Sequence, residues 1–186
     1  MTTANKITIL RILLIPYFSI GLICYVFYGE NIYHVLAIAS LIAILILDLM
    51  DGFIARHFNQ KSEIGAILDP LADKLLLAVG IIILSFYHGI YLDYIPLWLF
   101  GVIIGQDLLL LVGFTIIRTI VGKVSVNPHI IGKIATGSQM ILIFLILLKW
   151  DRSLNMHWFL VCAVCTVISA LVYAWDGMKQ LCFGHE

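Results

Sequence analysis

Six stretches of about 20 mostly apolar residues, the length that crosses the hydrocarbon of a bilayer, constrain this chain more than any other feature. They run Ile7–Tyr28, Tyr33–Phe53, Ile64–Tyr87, Ile95–Ile117, Ile130–Leu148 and Trp158–Trp175. In lipid a segment must satisfy its own backbone hydrogen bonds, so each stretch is expected to be a helix. The predicted fold is all-α, a six-transmembrane-helix bundle that forms one membrane-embedded domain over residues 1–186. With 62% hydrophobic and 12% charged residues, the chain falls well short of the quarter charged that is usual in soluble domains. The same apolar content excludes a disordered chain, and Cys 4 in this length excludes a disulfide-rich secreted one.

The basic residues orient the bundle. Lys6, Arg11, Arg56, Lys61, Lys74, Arg118, Lys123, Lys133 and Lys179 fall on one side of the predicted membrane, against Lys149 and Arg152 on the other. By the positive-inside rule both termini are cytoplasmic, and Tyr25, Tyr28, Tyr87, Tyr91, Tyr94 and Trp150 gather at the opposite interface. Lys+Arg 11 balances Asp+Glu 11, which gives no net field for a nucleic acid. The first stretch is longer than a secretory h-region and has no small-x-small cleavage pattern, so a retained helix is expected. Cys24, Cys162, Cys165 and Cys182 are scattered through apolar segments and read as packing residues. None of the histidines has metal-ligand spacing, and none is assigned to chemistry.

Acidic residues stand inside or at the ends of the second, third and fourth stretches, and four of them gather at one predicted membrane surface. Asp48, Asp51, Gly52 and Ala55 close the second stretch at i, i+3, i+4 and i+7, and Gly65, Asp69 and Asp73 open the third at i, i+4 and i+8. Each set forms one stripe of a helix. A carboxylate at bilayer depth costs about 2.5 to 3.5 kcal/mol on the insertion scale. Four such groups at one surface, unneutralised, repel one another. One or two divalent cations would balance them, and all-oxygen ligation suits a hard ion such as Mg²⁺, Mn²⁺ or Ca²⁺, the first two being favoured for phosphate chemistry. Gly52, Ala55 and Gly65 remove bulk beside the acids, either for a ligand or for close helix packing. Arg56 suits a phosphate by bidentate bonding, or serves as a positive-inside anchor.

The pattern Asp48-x-x-Asp51-Gly52-x-x-Ala55-Arg56-x8-Gly65-x3-Asp69-x3-Asp73 resembles the signature of the CDP-alcohol phosphotransferases, membrane enzymes of phospholipid synthesis. Asn5-x-x-Thr8-x-x-Arg11 and Gly132-Lys133-x-x-Thr136 extend the resemblance over most of the chain. It implies a homodimer of six-helix bundles in which two divalent ions, held by Asp48, Asp51, Asp69 and Asp73, clamp the diphosphate of a CDP-linked lipid at the cytoplasmic side. It implies further that Asp73 is the general base for an acceptor hydroxyl, that CMP is released, and that Thr8, Gly52, Ala55, Arg56 and Gly65 meet the nucleotide and diphosphate.

Within that family the chain is most similar to phosphatidylglycerophosphate synthases and to the related cardiolipin synthases. CDP-diacylglycerol is the implied donor and glycerol 3-phosphate the favoured acceptor, ahead of phosphatidylglycerol and an inositol-type alcohol. A phosphate-bearing acceptor needs basic partners, for which Arg118 and Lys133 are the candidates, with interface anchoring as their alternative role. Asp107 followed eleven residues later by Arg118 resembles the cardiolipin synthase pattern, in which an Arg-Asp pair stands at this place, and Gln106 before Asp107 departs from it. A bacterial plasma membrane is the expected location. An intramembrane cation carrier would spread its acids over several depths, whereas these cluster within about two turns.

Overall fold

A computed structural model describes residues 3–57, 63–87, 89–121 and 130–183, with side chains over 7–50, 68, 70–87, 89–113, 115, 116, 119 and 130–179. Among the described residues there are six α-helices and no strand: α1 (Thr3–Tyr28), α2 (Asn31–His57), α3 (Glu63–Phe86), α4 (Leu97–Val121), α5 (Ile130–Leu147) and α6 (Arg152–Phe183). Four carry an apolar stretch long enough to cross a membrane: Ile7–Tyr28, Asn31–Met50, Ile130–Leu147 and Arg152–Lys179. A shorter apolar stretch, Leu97–Gly113, lies on α4, and α3 carries Asp69, Asp73 and Lys74 in its first half. The all-helical expectation holds, and every apolar stretch coincides with a helix.

The boundaries differ in places from the hydropathy pattern. α6 begins at Arg152 rather than near Trp158. Asp151 starts it: its carbonyl accepts from the Leu154 and Asn155 amides, and its carboxylate accepts from the Ser153 hydroxyl at 3.0 Å. α4 begins directly behind Pro96, whose carbonyl accepts from Leu99 and Phe100. Pro16 and Pro70 lie inside α1 and α3, where each removes one amide from the helical ladder.

The helices form two compact units, Met1–Tyr94 with Ile146–Lys149, and Ile95–Leu145 with Trp150–Glu186. In the first, α1 packs against both α2 and α3. Its buried stripe is Thr8, Arg11, Ile15, Phe18, Leu22 and Tyr25, with alternating spacings of three and four that keep one face of a helix toward its neighbours. Leu10, Leu13, Tyr17, Ile20 and Phe27 form the exposed stripe opposite, the side suited to lipid. Among the described side chains, α2 buries Ala37, Ser40, Leu41 and Ile44. Lipid is as apolar as leucine, so close packing rather than water exclusion holds such helices together. Gly21 shows how close: a Cβ there would stand 3.0 Å from the Ala37 backbone nitrogen and 2.6 Å from the Leu36 side chain.

The end of this unit away from the acids is aromatic. Tyr25 stacks on His34 with ring centroids 4.5 Å apart, Tyr91 lies against Tyr25, and the Lys149 ammonium sits 5.1 Å from the Tyr25 ring centre. A ring nitrogen of His34 hydrogen-bonds the Leu147 carbonyl at 2.7 Å. Gly29 ends α1 with φ of 70°, and its amide bonds the Tyr25 carbonyl. This is the left-handed cap that glycine adopts without strain.

The second unit is joined by polar contacts between helices. Gln106 on α4 donates to the Ser169 hydroxyl on α6 at 2.9 Å, and Gln139 on α5 donates to Thr166 on α6 at 3.4 Å. Asn155, Phe159, Cys162, Thr166 and Ser169 make one buried stripe along α6. Interhelical bonds of this type contribute about 0.6 kcal/mol on average within a membrane. Cys24, Cys162 and Cys165 are free thiols.

Candidate active site

The buried stripes of α1, α2 and α3 become polar toward one end of the first unit. On α2 the spacing of Ala37, Leu41 and Ile44 continues to Asp48; on α3 that of Leu84, Gly80 and Leu76 runs back to Asp73. On α1 the stripe that holds Phe18 and Ile15 ends in Arg11 and Thr8. The periodicity that packs the apolar part therefore brings these charged groups to one place.

There they meet. Arg11 is 1% exposed, and its Nη1 donates to the Asp48 Oδ1 and, at 3.3 Å, to the Asp73 Oδ1. The two acids are 42% and 47% exposed. The guanidinium thus lies inside and the carboxylates open outward. An arginine cannot lose its proton in a protein, and a buried charge is tolerated only when paired. Two charge-assisted bonds supply that pairing.

Arg11 is the residue that sequence reasoning passed over as a site member, taking it for a positive-inside charge. The signal was present in the spacing of Thr8, Arg11, Ile15, Phe18 and Leu22, which places the arginine on the packed face of α1.

The other expected site residues fall into three groups. Thr8 is buried one turn before Arg11. Asp51, Gly52, Ala55 and Arg56 lie on the last turns of α2, and Gly65 and Asp69 on the first turns of α3; their side chains, like that of Arg118 on α4, lie outside the described residues. Lys133 is exposed near the start of α5 in the second unit, and Thr136 donates its hydroxyl back to the Gly132 and Lys133 carbonyls. Gln106 is 4% exposed and occupied with Ser169. It belongs to the α4–α6 contact.

The donor chemistry fits a divalent ion of the Mg²⁺ type. Asp48 and Asp73 present hard carboxylate oxygens from two helices to a partly exposed space, as such ions require. Among the described residues no three metal-ligating side chains come together. Asp51 and Asp69, the expected remaining ligands, lie outside the described side chains.

Helices of membrane-crossing length and acids gathered on a buried arginine define a membrane-embedded helical protein with an acidic site at one end of its first three helices. The chain belongs to the CDP-alcohol phosphatidyltransferase family, whose model matches residues 1–173. It is a transferase of that family. Among its relatives is the CDP-diacylglycerol–glycerol-3-phosphate 3-phosphatidyltransferase of Shigella flexneri serotype 5b, 29% identical over 171 residues, which are 90% of this chain and 90% of that enzyme. The enzyme of the same name from Escherichia coli strain K12 has the same identity and coverage.

Proposed function

We propose that this protein transfers the phosphatidyl group of CDP-diacylglycerol to glycerol 3-phosphate, giving phosphatidylglycerophosphate and CMP. The observation that carries the reading is the convergence of Asp48 and Asp73, one from each half of the acidic pattern, on Arg11. Similarity over nine-tenths of its length to enzymes named for this reaction supports the choice of substrates.

In this mechanism a hydroxyl of glycerol 3-phosphate attacks the phosphorus that bears the diacylglycerol. The new P–O bond forms as the bond to CMP breaks. Asp73 accepts the hydroxyl proton, a role open to a carboxylate within hydrogen-bond reach of the nucleophile. Asp48, Asp51, Asp69 and Asp73 would hold the divalent ions, Mg²⁺ or Mn²⁺. When bound, such ions neutralise the diphosphate and the charge that develops on the leaving group. Arg56 binds the diphosphate, while Gly52, Ala55 and Gly65 leave room for the nucleotide and Thr8 approaches it from α1. Arg118 and Lys133 bind the phosphate of the acceptor.

The same reading places all six helices across a bacterial inner membrane as one domain, with both termini and the site on the cytoplasmic side, in a homodimer. The distribution of lysine and arginine supports that orientation.

The test is CMP release by purified protein in detergent with CDP-diacylglycerol and Mg²⁺, offered glycerol 3-phosphate, phosphatidylglycerol or inositol phosphate separately. Release with glycerol 3-phosphate alone is expected. Release with phosphatidylglycerol alone would replace the acceptor, and release with none of them would reject this donor and acceptor pairing.

A further inference from the structure

We propose that Arg11 is a positioning residue of this site and its resident counter-charge: it holds Asp48 and Asp73 together when no divalent ion is bound, and a bound ion takes over part of that role. The inference rests on the reading above for the ion and on the observed geometry for the arginine.

The pattern of exposure is the first argument. An arginine that served as an interface anchor would extend its head to water, but Arg11 is 1% exposed and the acids it holds are 42% and 47% exposed. The cation is therefore on the helix side of the carboxylates, and an added ion approaches from the open side. The second argument is connectivity. One nitrogen, Nη1, reaches an acid on α2 and an acid on α3 from its own place on α1. Without it, two like charges would lose the cation that both of them accept from. The third is the sign of the interaction with the ion. A fixed guanidinium repels a divalent cation bound to the same carboxylates, so arginine and ion partly substitute for each other. What one contributes to stability is then largest when the other is absent.

The experiment uses full-length protein in detergent, with Arg11→Met and Arg11→Lys variants. Thermal unfolding is followed with and without saturating Mn²⁺, and Mn²⁺ affinity is read from the electron paramagnetic resonance of the free ion. Arg11→Met should melt several degrees below wild type without Mn²⁺ and recover most of that deficit with it, and it should bind Mn²⁺ about ten-fold more tightly. Arg11→Lys keeps the charge but not the planar fork, and should fall between the two. It carries the comparison if the Met variant does not fold. An equal melting deficit with and without Mn²⁺, accompanied by unchanged Mn²⁺ affinity, would reduce Arg11 to packing and overturn the proposal. Wild-type protein that binds no Mn²⁺ would instead overturn the ion reading itself. A wild type that binds Mn²⁺ but releases no CMP would count against the reaction alone, because neither readout uses substrate.

Discussion

Asp48 on α2 and Asp73 on α3 accept hydrogen bonds from one and the same nitrogen, Nη1 of Arg11. The contact joins the first acid of the pattern to its last through a third helix. It sets the acid assigned as base beside an acid assigned only as ligand, so their substitution should have different consequences.

Asp73→Asn keeps the shape of the side chain and its capacity to accept from Arg11, but removes the basic oxygen. CMP release should fall by at least about 100-fold while the helical circular dichroism stays at the wild-type level. A variant with full Mg²⁺-dependent activity would remove Asp73 from the role of base.

Two glycines report on the packing of the first unit. Gly21→Ala places a methyl 3.0 Å from the Ala37 backbone nitrogen, and overpacking of about 1 to 3 kcal/mol outweighs the helix propensity of about 1 kcal/mol gained by removing a glycine. Gly29→Ala puts a side chain at φ of 70° and into the Tyr91 ring, costing about 1 to 2 kcal/mol for the backbone alone. Both should lower the melting temperature in detergent. Gly101→Ala, whose Cβ would meet nothing within 4 Å, should not.

Gln106→Leu tests whether that position belongs to the acceptor pocket. The side chain is buried and donates to Ser169, so the expected loss is a fraction of a kcal/mol of stability, and the Michaelis constant for glycerol 3-phosphate should not move. A several-fold rise in that constant would return Gln106 to the substrate site.

Arg118→Ala addresses the acceptor directly. On the proposed role of Arg118, its loss should raise the Michaelis constant of glycerol 3-phosphate more than that of CDP-diacylglycerol. Equal rises would assign Arg118 to general anchoring at the interface.

Much of this molecule is legible one helix at a time. Apolar stretches of bilayer length have one way to satisfy their backbones, so the helices and their approximate limits follow from hydropathy. At the start of α6 the helix runs beyond its apolar part to Arg152, directly behind Asp151, whose carbonyl accepts the first helical bonds. Helical spacing likewise puts Asp48, Asp51, Gly52 and Ala55 on one stripe, and these residues are part of the pattern that resembles the family's signature.

Which stripe faces which is another matter. Periodicity puts Arg11 on one face with Phe18 and Leu22, but a charge near a helix end has two homes, the interface or the interior. The choice depends on partners far away in the chain. Asp48 and Asp73 supply the compensation that makes burial of the guanidinium tolerable, and Ser169 accepts from the buried Gln106 amide nitrogen. The amino-acid sequence alone determined a helical membrane protein with acids at one surface, because lipid imposes that on each segment separately. Only the tertiary structure decided that an arginine from α1 stands behind those acids, because burying a charge is settled by the groups that meet it and not by its neighbours along the chain.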